Sequence, residues 1–187
     1  MADVTLRSFT DADRAAYIAI YEGAFPLSER KPFEFMISPA MRDRYELLTL
    51  STPSAEVAGI VILAYATVEG KDFALLDYFA VSPSLRGGGI GHAILPLVRE
   101  HCHKRGAHLF LEIEAPDDSA DNAVQRVRRK AFYLSCGLIA CGVTALMYGT
   151  VMELMAYPED TDVITLEVYR EVVKACYPPE MGLPHHP

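Results

Sequence analysis

The chain has 187 residues, 51% of them hydrophobic and 22% charged, with a formal net charge of −8 and a sequence pI near 5.2. That length suits one domain with a sizeable core and excludes a disordered chain. The acidic balance argues against a dedicated nucleic-acid binder and is compatible with cationic substrates such as amines. Cys102, Cys136, Cys141 and Cys176 form no C-x-x-C pair and read as reduced thiols of a cytoplasmic protein. No apolar run reaches the ~18 residues of a membrane span, and Met1 to Thr10 lacks the apolar stretch of a signal peptide.

Val4 to Phe9 alternates as a first strand. Asp11 or Asp13 is placed to cap a following helix, in which Ala15, Ile18, Tyr21 and Ala24 recur at helical spacing up to Phe25. Pro26 ends it, Leu27 to Lys31 is a polar loop, and Pro32 starts a short helix. Tyr45 to Leu50, Val57 to Thr67 and Phe73 to Val81 read as strands with turns at Ser51 to Ser54 and Glu69 to Lys71, close enough in sequence for an antiparallel meander. A helix runs to about Lys104 with Ile94, Leu97, Val98 and His101 on one face, and Gly106 stops it. His108 to Glu114 is a strand and Asp117 to Asn122 an acidic loop. Val124 to Ser135 is a helix stopped by Gly137. Leu138 to Gly142 and Thr150 to Tyr157 are a last pair of strands, and Thr161 to Cys176 is a helix with Ile164, Val168 and Val172 in register. Residues 1–177 are expected to form one domain, followed by a proline-rich tail over 178–187.

The densest signal is Arg86 to Gly91, RGGGIG, at a strand-to-helix joint. Glycine tolerates positive φ and lets backbone N–H groups approach a ligand. At the start of a helix those groups share the positive dipole end, which makes an anion site. The dinucleotide fingerprint G-x-G-x-x-G fails, because its third glycine falls on His92 or Ile94, and no Gly-Lys-Ser/Thr follows for a nucleotide P-loop.

The stretch Val81 to Gly91 resembles motif A of the GNAT superfamily of acyl-CoA-dependent N-acetyltransferases, Arg/Gln-x-x-Gly-x-Gly/Ala, filled here by Arg86, Gly89 and Gly91. Ala131 to Leu138 is similar to the family's Phe-Tyr-x-x-x-Gly-Phe segment, with Leu138 in place of the last phenylalanine. The resemblance implies an α/β (α+β) fold with a mixed, mostly antiparallel sheet, flanking helices and a splayed pair of central strands, those ending at Val81 and starting at His108. It implies acetyl-CoA as co-substrate, with backbone groups of Phe79, Ala80 and Val81 on the pantetheine and Arg86, Gly87, Gly88, Gly89, Ile90, Gly91 and His92 around the pyrophosphate. Where the family often has an asparagine contacting the pantetheine, this chain has Arg126.

Transfer from a thioester to an amine requires a neutral amine, a polarised carbonyl and a proton for the leaving thiolate. By the resemblance, Tyr133 is the candidate acid and Glu112 the candidate base, with Asp77 as the alternative base and a backbone N–H of Phe79 to Val81 on the carbonyl. Glu114 points to the same side as Glu112 by strand alternation. Both glutamates serve equally to attract a cationic acceptor, and a packing tyrosine and solvated edge carboxylates stay open as bland alternatives. Glu29 and Arg30 fall where the family places an acceptor-binding loop. The basic run Arg126, Arg128, Arg129, Lys130 reads as a solvated helix face. His101, Cys102 and His103 point in different directions on a helix, so no metal is expected there. The expected partner is a small-molecule or peptide amine, with no nucleic acid and no membrane; a homodimer is allowed. A catalytically silent acyl-CoA-binding module and an O-acyltransferase are the alternatives to an N-acetyltransferase.

Overall fold

The computed structural model describes residues 3–177, so the proline-rich segment 178–187 lies outside the described residues. Seven strands form one sheet: β1 (Thr5–Ser8), β2 (Tyr45–Thr52), β3 (Ala55–Val68), β4 (Lys71–Val81), β5 (Ala107–Glu114), β6 (Ile139–Met147) and β7 (Thr150–Ala156), in the order β1-β2-β3-β4-β5-β7-β6. Every neighbouring pair is antiparallel except β4 and β5, which are parallel and joined by a helical crossover. The expected meander is β2-β3-β4. Its last turn, Glu69-Gly70, has both residues at positive φ, 51° and 78°, as a two-residue hairpin with the strand-matching twist requires.

The helices α1 (Arg14–Ala24), α2 (Phe33–Met36), α3 (Ile90–Lys104), α4 (Ala123–Ser135) and α5 (Leu166–Cys176) flank this sheet. Two cores result, one on each face. Tyr17, Ile20 and Tyr21 of α1 and Tyr169, Val172, Val173 and Cys176 of α5 pack on one; Ile94, Leu95, Val98 and Cys102 of α3 pack on the other, beside Phe132 and Tyr133 of α4. The central strand β3 feeds both, with Ile60 and Ile62 on one side and Val61 and Leu63 on the other, all fully buried. Its nearly unbroken apolar sequence follows from that two-sided burial. The four cysteines are free thiols. Among the described residues no helix is long and apolar enough to cross a membrane.

Several expectations need correction. The buried stripe of α1 is Tyr17, Ile20 and Tyr21, and Ala15 is exposed. Small alanines had set the apparent stripe, whereas the aromatic area decides which face is buried. Neither aspartate caps α1 through its side chain. Asp13 instead accepts from Thr10 N–H at 2.9 Å and pairs with Arg7 of β1 through both oxygens, at 2.6 and 2.7 Å. The last helix begins at Leu166 after a short 3-10 turn, and its buried face is Tyr169, Val172, Val173 and Cys176 rather than the stripe through Val168. Strand β6 continues to Met147 because Gly142, read as its end, is a left-handed residue (φ 72°) at a register shift. His101 and His103 diverge as expected, toward Glu46 and Asp160 respectively.

Candidate active site

Strands β4 and β5 pair only from Asp72 to Leu75 against Ala107 to Phe110, and then part. The break coincides with a bulge in β4. Ile62 of β3 opposes Tyr78 and Leu63 opposes Leu76, so Asp77 is an extra residue without a partner position. A bulge adds twist and reverses the side-chain alternation. Phe73 and Leu75 face α1 and α5 before it; Tyr78 and Ala80 do so after it. Asp77 thereby lines the same cavity as Tyr78.

Beyond the split, Gly87 and Gly89 both adopt left-handed φ, 81° and 75°, and a side chain at either would meet no atom within 4 Å. The loop is therefore open on the side these glycines present. It leads directly into the first turn of α3, whose unsatisfied N–H groups and dipole favour an anion. A cavity of about 360 Å³ borders the loop, lined by Phe79, Val81, Arg86, Gly89, Gly91 and Phe132 among others. Gly91 is needed for packing: a Cβ there would lie 2.8 Å from Phe132. Phe132 in turn stacks with Phe79 at 6.4 Å and meets the His92 ring edge-on at 5.0 Å. Arg86 is held by its Nε donating to Val81 O at 3.1 Å. Gly87, Ile90 and His92 share this lining, whereas Gly88 faces a neighbouring surface and Ala80 is buried toward α1 and α5. Such a cradle suits a phosphate-bearing ligand.

On the α1 and α5 face, a second cavity of about 380 Å³ opens at the parted strand ends, and Asp77, Glu112, Glu114 and Glu29 all reach it. Its walls are aromatic and apolar, with Phe25, Tyr148, Tyr177 and Met152. Glu112 sits mostly buried and accepts a hydrogen bond from the Tyr169 hydroxyl of α5. Burial pushes its carboxyl up from 4.5 to about 7, with Asp77 adding to the rise and Tyr169 and Lys31 opposing it. Glu114 is differently placed: Arg126 and Arg129 of α4 reach it at 2.9 and 3.3 Å, and the Asn122 amide donates to it at 2.9 Å. Lys130 likewise pairs with Glu153 at 2.7 Å. The basic run is thus largely a set of ion pairs, and Arg128 and Arg129 are its exposed members. Asp77 is held by Lys31, whose ammonium donates to both carboxylate oxygens at 2.7 and 2.8 Å. Glu29 stands at the rim, its carboxyl raised by partial burial and by Glu114. Arg30 does not line the cavity; it pairs with Glu22 at 3.1 Å.

Tyr133 lies across the sheet, in the core beside α3. Its ring packs edge-on against Phe132 at 5.1 Å, and burial pushes its hydroxyl up to about 12, with Arg129 opposing. It stays protonated at neutral pH and can donate. Glu112 and Tyr133 therefore occupy opposite faces of the sheet, with the parted strands between them.

Residues 14–137 match the acetyltransferase (GNAT) family. The chain belongs to that family. The expected fold is present, down to the splayed central strands. Among solved structures, the spermidine N-acetyltransferase of Vibrio cholerae, in complex with CoA and spermine, is similar with a TM-score of 0.65 at 13% identity, over 85% of this chain and 98% of that one. The ribosomal-protein-S18-alanine N-acetyltransferase of Escherichia coli is similar with a TM-score of 0.53 at 25% identity, over 83% and 93%. A ribosomal-protein-alanine N-acetyltransferase of Brucella melitensis reaches a TM-score of 0.58 at 23% identity, over 81% and 97%. No curated protein sequence matches the chain significantly. Within this GNAT domain, sequence reading missed Lys31 and Tyr169, and it placed Phe132 in the Phe-Tyr segment without its stacking role. Lys31 sits in a charged run before a proline, which reads as solvent-exposed. Tyr169 carried a usable signal: a tyrosine on an apolar helix face needs a polar partner for its hydroxyl.

Proposed function

We propose that this acetyltransferase acetylates a primary amine by direct attack on acetyl-CoA, with Glu112 as base and Tyr133 as acid. The observation that carries the reading is Glu112: a carboxyl raised to about 7, at the inner end of a cavity that opens where the sheet splits. A general base works best when its pKa lies near the working pH. Acetyl-CoA supplies the activated acetyl group as a thioester. The glycine loop from Arg86 to Gly91 and the start of α3 would hold its phosphates, and backbone of Phe79 to Val81 its pantetheine.

Glu112 takes a proton from the ammonium form of the acceptor, directly or through one water. The amine nitrogen then forms its bond to the acetyl carbon as the C–S bond breaks. Tyr133 gives a proton to the departing sulfur from the opposite face; the new amide nitrogen sheds its extra proton to solvent, which reprotonates Tyr133, and Glu112 releases its own proton to solvent. Their placement on two faces of one split suits this division, because base and acid then approach opposite sides of the reacting carbon. Aromatic walls with Glu29 at the rim favour an acceptor with an apolar body and a cationic amine. Asp77 is a poor base, since Lys31 already occupies both its oxygens. Glu114 acts by holding Arg126 and Arg129 rather than by taking a proton.

The test is an acceptor screen with acetyl-CoA, reading free thiol. Release of CoA that depends on a primary amine, and falls in Glu112→Gln, supports the reading. Release with alcohols but not amines, or binding of acetyl-CoA with no turnover across the panel, overturns it.

A further inference from the structure

Beneath the acceptor cavity lies an ion pair that the transfer chemistry above leaves unused. The Lys31 side chain is fully buried and that of Asp77 is 5% exposed. Besides its two bonds to Asp77, the Lys31 ammonium lies 3.9 Å from the centre of the Tyr177 ring and 5.3 Å from that of Tyr78. The Lys31 backbone is fixed as well: its N–H donates to the Tyr78 hydroxyl and its carbonyl accepts from the Tyr21 hydroxyl, each at 3.0 Å. The loop carrying Ser28 and Glu29 to the cavity rim is therefore latched at Lys31 to the β4 bulge, next to where the sheet opens.

Two apolar side chains of similar volume would latch loop to strand with a smaller desolvation cost. A buried pair of opposite charges has a further use only where a neighbour responds to charge. Glu112 is such a neighbour. The other groups facing it are the Tyr169 and Tyr177 hydroxyls from α5 and its end and Tyr148 from the β6–β7 turn, with Glu29 and Arg129 across the cavity. Of these, Arg129 is engaged by Glu114. Asp77 lines the same cavity as Glu112 and holds the Lys31 ammonium on both its oxygens, so the two charges act on Glu112 in opposite directions.

We propose that the Lys31–Asp77 pair is a positioning device that fixes the acceptor loop and, by holding two opposite charges together near Glu112, keeps either charge alone from moving the pH at which Glu112 becomes able to accept a proton. The inference rests on the acetyltransferase reading with Glu112 as base. It predicts opposite effects from the two halves of the pair. Lys31→Met leaves two buried carboxyls close together, so Glu112 holds its proton to higher pH. Asp77→Asn leaves a buried ammonium, so Glu112 loses its proton at lower pH. Each movement is expected to be about one pH unit or more. The double variant Lys31→Met/Asp77→Leu removes both charges and returns the midpoint toward wild type.

The experiment is a carbon-13 NMR titration of the Glu112 side-chain carboxyl in the full chain, assigned by its loss in Glu112→Gln, together with kcat against pH. Opposite movements in the two single variants and recovery in the double, seen in both the NMR midpoint and the acidic limb of kcat, are the expected result. Lys31→Arg should retain a near-normal limb, since it restores the charge. Where Lys31→Met does not fold, Asp77→Asn against the double variant reads the same sign. An NMR midpoint that stays put in folded variants overturns the inference. NMR midpoints that move while the kcat limb does not would leave the charge effect standing and remove Glu112 from the role of base.

Discussion

Replacing Glu112 with glutamine separates the chemistry of this carboxyl from its cost to the fold. Glutamine keeps the shape and still offers an oxygen to the Tyr169 hydroxyl, and it cannot ionise. In the folded chain the carboxyl is raised from 4.5 to about 7, so between these values the native state binds more protons than the unfolded chain. Stability attributable to this group is therefore fully present below about pH 4.5, falls as pH rises, and is lost above about pH 7. At 1.36 kcal/mol per pH unit, the interval amounts to about 3 kcal/mol as an upper bound. Against it stands the glutamine amide, whose buried N–H groups cost about 1 kcal/mol. The magnitudes decide the sign in each range. Glu112→Gln should be slightly less stable than wild type at pH 5 and more stable by about 1–2 kcal/mol at pH 8, while amine-dependent CoA release falls about 10²–10⁴-fold. Urea unfolding of both proteins at pH 5 and pH 8, with thiol-detected kinetics beside it, measures each part. A stability difference that is the same at both pH values would refute the reasoning, since the carboxyl would then be no harder to ionise in the fold than outside it.

Tyr133→Phe removes only a hydroxyl and should lower kcat about 10²–10⁴-fold with CoA affinity little changed; near-normal kcat with chemistry rate-limiting would return Tyr133 to packing alone. Gly89→Glu forces a side chain into left-handed backbone at a cost of about 1 kcal/mol and sets a negative charge in the glycine cradle, so calorimetry should find acetyl-CoA affinity lost in a folded variant. Unchanged affinity there would move the phosphates elsewhere. Asp13→Asn keeps the side-chain shape and breaks the bidentate pair with Arg7, a half-exposed partner, so denaturant unfolding at pH 7 should register a loss of about 2 kcal/mol. Because Arg7 holds the Asp13 carboxyl well below the usual carboxylate range, the stability it contributes is present at neutral pH and is lost as pH falls below the ordinary carboxylate value, where the difference between variant and wild type should shrink.

What the sequence exposed and what it hid divide along physical lines. Alternation and turn residues placed the strands well, because each signal is local; Glu69-Gly70 and the run from Val57 to Thr67 are examples. The glycine loop was legible because no other residue serves its backbone. The β4 bulge was hidden: nothing in Phe73 to Val81 marks Asp77 as the extra residue, since a bulge is set by the pairing of two strands. Its consequence, that Asp77 and Tyr78 share one cavity, was hidden with it. Lys31 escaped for a related reason, as a lysine is buried only when distant partners supply a counter-charge and aromatic faces. Glu112 and Tyr133 stood out through family resemblance, yet their arrangement on two faces depended on which helix covers which side.

The brief pairing of β4 with β5 leaves two inner strand margins facing each other across a gap, each with peptide groups that no neighbouring strand satisfies. Margins of this kind elsewhere invite intrusion by a foreign chain, and proteins guard them. Here the guard would be the donor itself, since an extended amide-bearing arm in the gap closes the sheet. Such a molecule is then also a structural component: by mass action, a hundredfold excess over its dissociation constant adds about 2.7 kcal/mol to the folded state. Emptied of donor, the protein should exchange the gap-facing backbone amide hydrogens of Leu76 to Val81 faster than those bonded to β3, and should self-associate through that seam on warming. Supply of the thioester would thus govern how long the enzyme survives as well as how fast it turns over.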